Sequence, residues 1–124
     1  MHTPGTVELT QEPTAWHLRL HGEHDLATAP ELEQAMRTVL DSGTTVLIDL
    51  TGATFIDSTV IHWLLRWAGH AGQPDTTLRL AVVGASPESA AGRVIDLAGL
   101  RHSIPLYPTT NEALTAVASD RSEG

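Results

Sequence analysis

An α/β domain is predicted for this chain, with a central mixed, mostly parallel sheet of about five strands packed with about four helices. Three observations lead there. Segments with apolar residues at period two alternate with segments whose apolar residues fall at helical spacing. Val46-Leu47-Ile48 and Leu78-Arg79-Leu80-Ala81-Val82-Val83 are nearly continuous apolar runs, as in strands covered on both faces. Glycine and proline punctuate the joins, giving the order strand, strand, helix, strand, helix, strand, helix, strand, helix. Right-handed crossovers make the later strands parallel, while the first strand precedes any crossover and is free to pair antiparallel at an edge.

Taken in order, Val7 and Leu9 alternate with polar neighbours as a short first strand. Glu12-Pro13 turns the chain, and Trp16, Leu18 and Leu20 alternate with His17, Arg19 and His21 as a half-buried second strand that Gly22 closes. After a loop, Thr28 or Ala29 followed by Pro30 and Glu31 starts a helix, with proline in the first turn where its missing N–H costs nothing. Leu32, Ala35, Met36, Val39 and Leu40 share its inner face, and Gly43 stops it. Val60, Ile61, Leu64, Leu65 and Ala68 make a second helical stripe, fading by Gly69 to Gly72. Ser86-Pro87-Glu88 begins a third helix with an N-cap serine, whose inner face is Ala91, Val94, Ile95 and Ala98. Ile104-Pro105-Leu106-Tyr107 is a short edge strand, because proline cannot donate to a ladder. A last helix covers Asn111 to Ala118. One domain is expected over residues 1–118, with 119–124 as a frayed tail.

Composition narrows the function. The 124 residues suit one core and not two. The sequence has no cysteine, which excludes disulfides and thiol catalysis. No apolar stretch is long enough for a membrane span and Met1-His2-Thr3-Pro4 shows no signal pattern, so a cytoplasmic protein without membrane insertion is expected. Fifteen acids against seven arginines and no lysine, a formal charge of −8, argue against nucleic acid as a partner. The seven histidines fit no metal-site spacing, there is no nucleotide-binding glycine motif, and no matched acid and base accompany Asp49 and Asp57. No catalytic residue, metal or cofactor is assigned, and an enzyme is not expected.

The segment Leu50-Thr51-Gly52-Ala53-Thr54-Phe55-Ile56-Asp57-Ser58-Thr59-Val60 puts a serine where a loop becomes a helix. The unpaired N–H groups and positive dipole end there can receive a phosphoryl group at low cost. Leu20-His21-Gly22-Glu23-His24-Asp25-Leu26 is similar to the "G-E-hydrophobic-D" segment of the STAS domain family, in particular its bacterial anti-sigma factor antagonists. Leu47-Ile48-Asp49-Leu50 through Phe55-Ile56-Asp57-Ser58 resembles that family's "D-L-x-x-x-x-F-I-D-S" signature, and Ser86-Pro87 with Leu97-Ala98-Gly99-Leu100 resembles its third-helix stretch. The resemblance runs from about Val7 to Val117. It implies a phosphorylation site at Ser58, an anti-sigma factor with serine kinase activity as the partner of the unmodified form, release on modification, and a phosphatase that resets the switch. This chain has Val60 where the family motif has glycine, and His24 where it has an apolar residue.

Each candidate residue has a plainer reading beside the functional one. Ser58 is either the acceptor or only an N-cap; Asp57 is a cap or positions the hydroxyl; Thr59 is a first-turn residue or a second acceptor. Trp63 and Trp67, with His62, Arg66 and His70, form either an outward docking face beside Ser58 or local packing. Glu23, His24 and Asp25 either touch the partner or are turn residues. Two rival functions stay open: a STAS scaffold or accessory subunit without a phosphoswitch, and a small-ligand or nucleotide-binding module.

Overall fold

A computed structural model describes residues 5–40, 45–71, 73, 78–84, 92–93, 95–96, 99, 102 and 104–123, with the side chains of Leu40 and of residues 117–123 left aside. The elements are β1 (Thr6–Gln11), β2 (Ala15–His24), α1 (Ala29–Leu40), β3 (Thr45–Asp49), β4 (Ala53–Ile56), α2 (Ser58–Ala71), β5 (Arg79–Val83), β6 (Leu106–Tyr107) and α3 (Thr110–Glu123). The expected helix after Ser86 falls largely outside the described residues. Of that stretch, Gly92, Arg93, Ile95 and Asp96 are helical, and Ile95 is fully buried.

All six strands join one sheet in the order β1-β2-β3-β5-β6, with β4 paired to β2 off that path. β1 runs antiparallel to β2 at the edge, and every other pairing is parallel. β2 has ten residues and serves two neighbours on the same side: Ala15 to Arg19 pair with β3, and Gly22 to His24 pair with β4. The hand-over falls at Gly22, whose φ of 81° is a left-handed conformation that glycine adopts without strain. Gly22 therefore bends the second strand instead of closing it. The sixth strand, β4, lies inside the segment expected to be loop, because four residues are too few to show a period-two pattern.

Alternation along the strands divides the core in two. Leu18, Leu20, Val46, Ile48, Leu80 and Val82 meet Leu32, Met36 and Val39 of α1 and Val60, Ile61, Leu64 and Trp67 of α2 in the larger cluster. On the opposite face Ala15, Leu47, Ala81 and Val83 pack with Ala113 of α3. Each buried Leu, Ile or Val contributes about 1.5–3 kcal/mol. Thr109 caps α3: its hydroxyl accepts the Glu112 N–H at 3.2 Å. It continues to Glu123, past the expected stop at Ala118.

His17, expected on the solvent side of β2, is buried (2% exposed). It lies on the same strand face as Ala15, where the second layer covers it, and both ring nitrogens find carboxylates: Nδ1 lies 3.1 Å from Glu12 Oε1 and Nε2 2.9 Å from Asp49 Oδ2. Burial works against the charge of Asp49. Hydrogen bonds from the Thr51 hydroxyl and N–H and from His17 outweigh it and hold the carboxyl below its ordinary value. Among the described residues no helix is long and apolar enough to cross a membrane.

Candidate functional site

The parallel pairing of β2 with β4 carries two chain exits out of the sheet side by side. His24 pairs with Ile56 in register, and the Asp57 N–H donates to the His24 carbonyl at 3.2 Å. Beyond this tie the first exit makes the turn at Asp25 and Leu26, and the second enters α2.

Asp57 is the N-cap of α2. Its Oδ1 accepts the N–H groups of Thr59 (2.9 Å) and Val60 (3.3 Å), and its carbonyl accepts the first helical bond, from Ile61, at 3.2 Å. Such a cap is worth about 1 kcal/mol. The capping role open to Ser58 thus belongs to its neighbour. Ser58 is the first residue of the helix, exposed, and its hydroxyl has no partner among the described residues. One expectation is corrected here. Two of the donors that were to receive a phosphoryl group at the helix end, the Thr59 and Val60 N–H groups, are already held by Asp57.

The loop before it is organised by His24, and the expectation that His24 touches a partner is also corrected: the ring is completely buried. Its Nε2–H donates to the His21 carbonyl at 3.0 Å, and Nδ1 lies 3.1 Å from Thr28 Oγ1. The same hydroxyl accepts the Asp25 N–H, while Asp25 Oδ1 accepts the Ala27 N–H at 2.9 Å. Burial lowers the His24 pKa, opposed by backbone hydrogen bonds and by the charges of Glu31 and Asp25. A Cβ at Gly5 would meet the ring at 2.8 Å, so glycine is what lets β1 close over it. Glu23 and Asp25 are half-buried at the surface.

Along α2, Ser58, His62, Leu65, Arg66, Gly69 and His70 are exposed, and Thr59 and Trp63 are half-buried. Trp67 is not on the docking face proposed from the sequence. It is 4% exposed and belongs to the core, because seven residues after Val60 are nearly two helical turns. Trp63 lies beside it with ring centroids 5.7 Å apart, and the Arg66 guanidinium stands 5.1 Å over the Trp63 ring. Val60 is fully buried with ordinary helical backbone, so its bulk points into the core and not toward Ser58. Two apolar residues near Ser58 escaped the sequence reading: Leu26 (72% exposed) and Phe55 (44% exposed). Phe55 precedes the inward Ile56 on β4 and so faces the other side of the strand, which only the assembled sheet shows. Among the described residues no three His, Cys, Asp or Glu side chains gather as metal ligands would.

A profile of the family described as "Mlab, STAS domain" matches residues 7–107. The chain belongs to the STAS domain family. A curated relative of this STAS domain, the anti-sigma-F factor antagonist RsfB of Mycobacterium tuberculosis, is 34% identical over 105 residues, covering 84% of this chain and 82% of the relative. The crystal structure of an anti-sigma factor antagonist from Mycobacterium paratuberculosis superposes with a TM-score of 0.80 at 33% identity, over 95% of this chain and 99% of the other. The anti-sigma factor antagonist SpoIIAA in its unphosphorylated form shares the STAS fold, with a TM-score of 0.74 at 20% identity over 92% and 97% of the two chains.

Proposed function

We propose that this STAS domain is an anti-sigma factor antagonist regulated at Ser58. Unmodified, it binds an anti-sigma factor that is a serine kinase. Phosphorylation of Ser58 by that partner releases it, and a phosphatase restores it. The domain is the kinase's substrate and ligand, not itself a catalyst. The observation that carries this reading is the uncommitted, exposed Ser58 hydroxyl on the first residue of a helix capped by Asp57. The names of the two relatives above 30% identity support the partner class. Exposed Leu26 and Phe55, with His62 one turn along α2, Glu23 at the end of β2 and Asp25 on the loop that follows, supply a mixed apolar and polar contact around the hydroxyl.

The switch follows from charge. A phosphoryl group adds about −1.5 to −2 charges and three acceptor oxygens. With the Thr59 and Val60 N–H groups held by Asp57, and the Asp57 carboxylate adjacent, this domain compensates that charge less than an open helix end would. The cost of desolvating it falls on the interface, where it opposes binding. Val60 favours a scaffold without a switch by its bulk near the acceptor; its inward position, which keeps that bulk in the core, supports the switched reading.

The test is binding of an anti-sigma factor kinase from the same organism to three forms of the domain. Ser58→Ala should bind as the parent does, and Ser58→Asp should bind at least about tenfold more weakly, a loss near 1.4 kcal/mol. Mass spectrometry after incubation with ATP and that factor should place one phosphate on Ser58. Undiminished binding by Ser58→Asp, with no phosphate found, would replace this reading with the unswitched scaffold.

A further inference from the structure

At the far end of α2 from Ser58, a groove of about 250 Å³ runs between α1 and α2, lined by Glu33, Arg37, Trp63, Arg66, Trp67 and His70. We propose that this groove is a second docking site, for an acidic peptide segment that carries an apolar side chain, and that it works independently of Ser58.

The lining has two parts. Buried Trp67 and half-buried Trp63 form an aromatic floor and wall, tilted 30° to each other, against which an apolar side chain can lie. Above them stand two guanidinium groups. Arg66 lies over the Trp63 ring and has no ion-pair partner among the described residues. Stacking uses the face of a guanidinium and leaves its edge N–H groups for a carboxylate. Arg37 donates one bond to Glu33, at 2.8 Å, and keeps further N–H groups. His70 adds a third potential cation in the last turn of the helix.

Charge identifies the occupant. In a chain with formal charge −8, two of the seven arginines converge on one groove, where Glu33 is the single carboxylate. A net negative chain disfavours acidic partners in general, so two converging guanidinium groups make this groove a place where charge can set register as well as attraction. Arginine and tryptophan are also the residues that most often anchor protein contacts. Nine residues separate Ser58 from Trp67, about 14 Å along the helix axis. A charge placed on Ser58 is then beyond a screening length at physiological salt.

The experiment follows the indole N–H signals of Trp16, Trp63 and Trp67 by NMR in the isotope-labelled chain. The probe is the peptide acetyl-Glu-Glu-Leu-Glu-Glu-amide, compared with its all-glutamine counterpart and with sodium acetate. The proposal expects saturable shifts at Trp63 and Trp67 with Trp16 unmoved. Arg66→Gln, a surface change, should weaken the response about tenfold, as loss of an arginine anchor does. Ser58→Asp should leave it unchanged. Absence of shifts at millimolar peptide overturns the proposal, as does an equal response to the glutamine peptide. Matching shifts with acetate alone replace the peptide with a small anion. Loss of the response in Ser58→Asp would mean one continuous site instead of two. The groove can pass this test while the Ser58 switch fails its own, so the two readings are separable.

Discussion

Burial holds the imidazole of His24 toward its neutral form, and that has a definite sign in stability. With the folded pKa below the ordinary 6.5, both states are neutral at higher pH and nothing is lost there. As the pH falls through 6.5 the unfolded chain takes up a proton first, so stability declines until the folded value is passed. Urea denaturation at a series of pH values should show this decline, and His24→Gln should flatten it even where the variant is less stable overall. An unchanged slope would assign the decline to other histidines. At this scale the sequence named the candidate residues but not what each one touches. Asp57 and Ser58 are adjacent and both suit a cap; only the direction of the backbone shows that the carboxylate reaches the Thr59 and Val60 N–H groups. The burial of His24 was likewise invisible, since it depends on Gly5, just before β1 and distant in sequence.

α2 shows what helical periodicity can and cannot deliver. Val60, Ile61 and Leu64 are buried as their spacing requires, whereas Leu65 is 39% exposed and Trp67 takes the inner position. The spacing from Val60 to Leu64 to Trp67 was present in the sequence. It was masked by the pairing of Trp67 with Trp63 and by the polar residues around both. The two tryptophans should therefore behave differently. Trp67→Ala should cost about 3–5 kcal/mol, as for other buried aromatics. Trp63→Ala, at a half-buried position, should cost roughly 1 kcal/mol, within the usual span for single substitutions. Denaturant midpoints of the two variants decide the point, and equal losses would contradict the assignment. β4 marks the opposite limit. Its four residues form a strand only because β2 extends past Gly22 to meet them, a tertiary cause with no local signal.

Across the whole molecule, the order of the described elements other than β4, the antiparallel first strand and the edge position of the proline-flanked last strand were legible from patterning alone. The polar line from Glu12 through His17 to Asp49 was not, because residues of the β1–β2 turn, β2 and β3 meet only in the assembled sheet. Since the Asp49 carboxyl is held below its ordinary 3.8, its contribution is complete above that pH and disappears as the pH falls through the lower folded value. Asp49→Asn should reduce stability at neutral pH by about 1.5–3 kcal/mol, the range for a hydrogen bond to a charged group. Its acid unfolding curve should also be shallower than the parent's; a parallel curve would remove Asp49 from the cause. The cap at Asp57 carries a consequence of another kind. A helix whose first turn is already closed gains no new bonds when the next side chain acquires a charge, and so has no reason to rearrange. Under the proposed switch the domain would be a tag and not a lever: a mark on a fixed shape, read only by a partner that tries to sit on it.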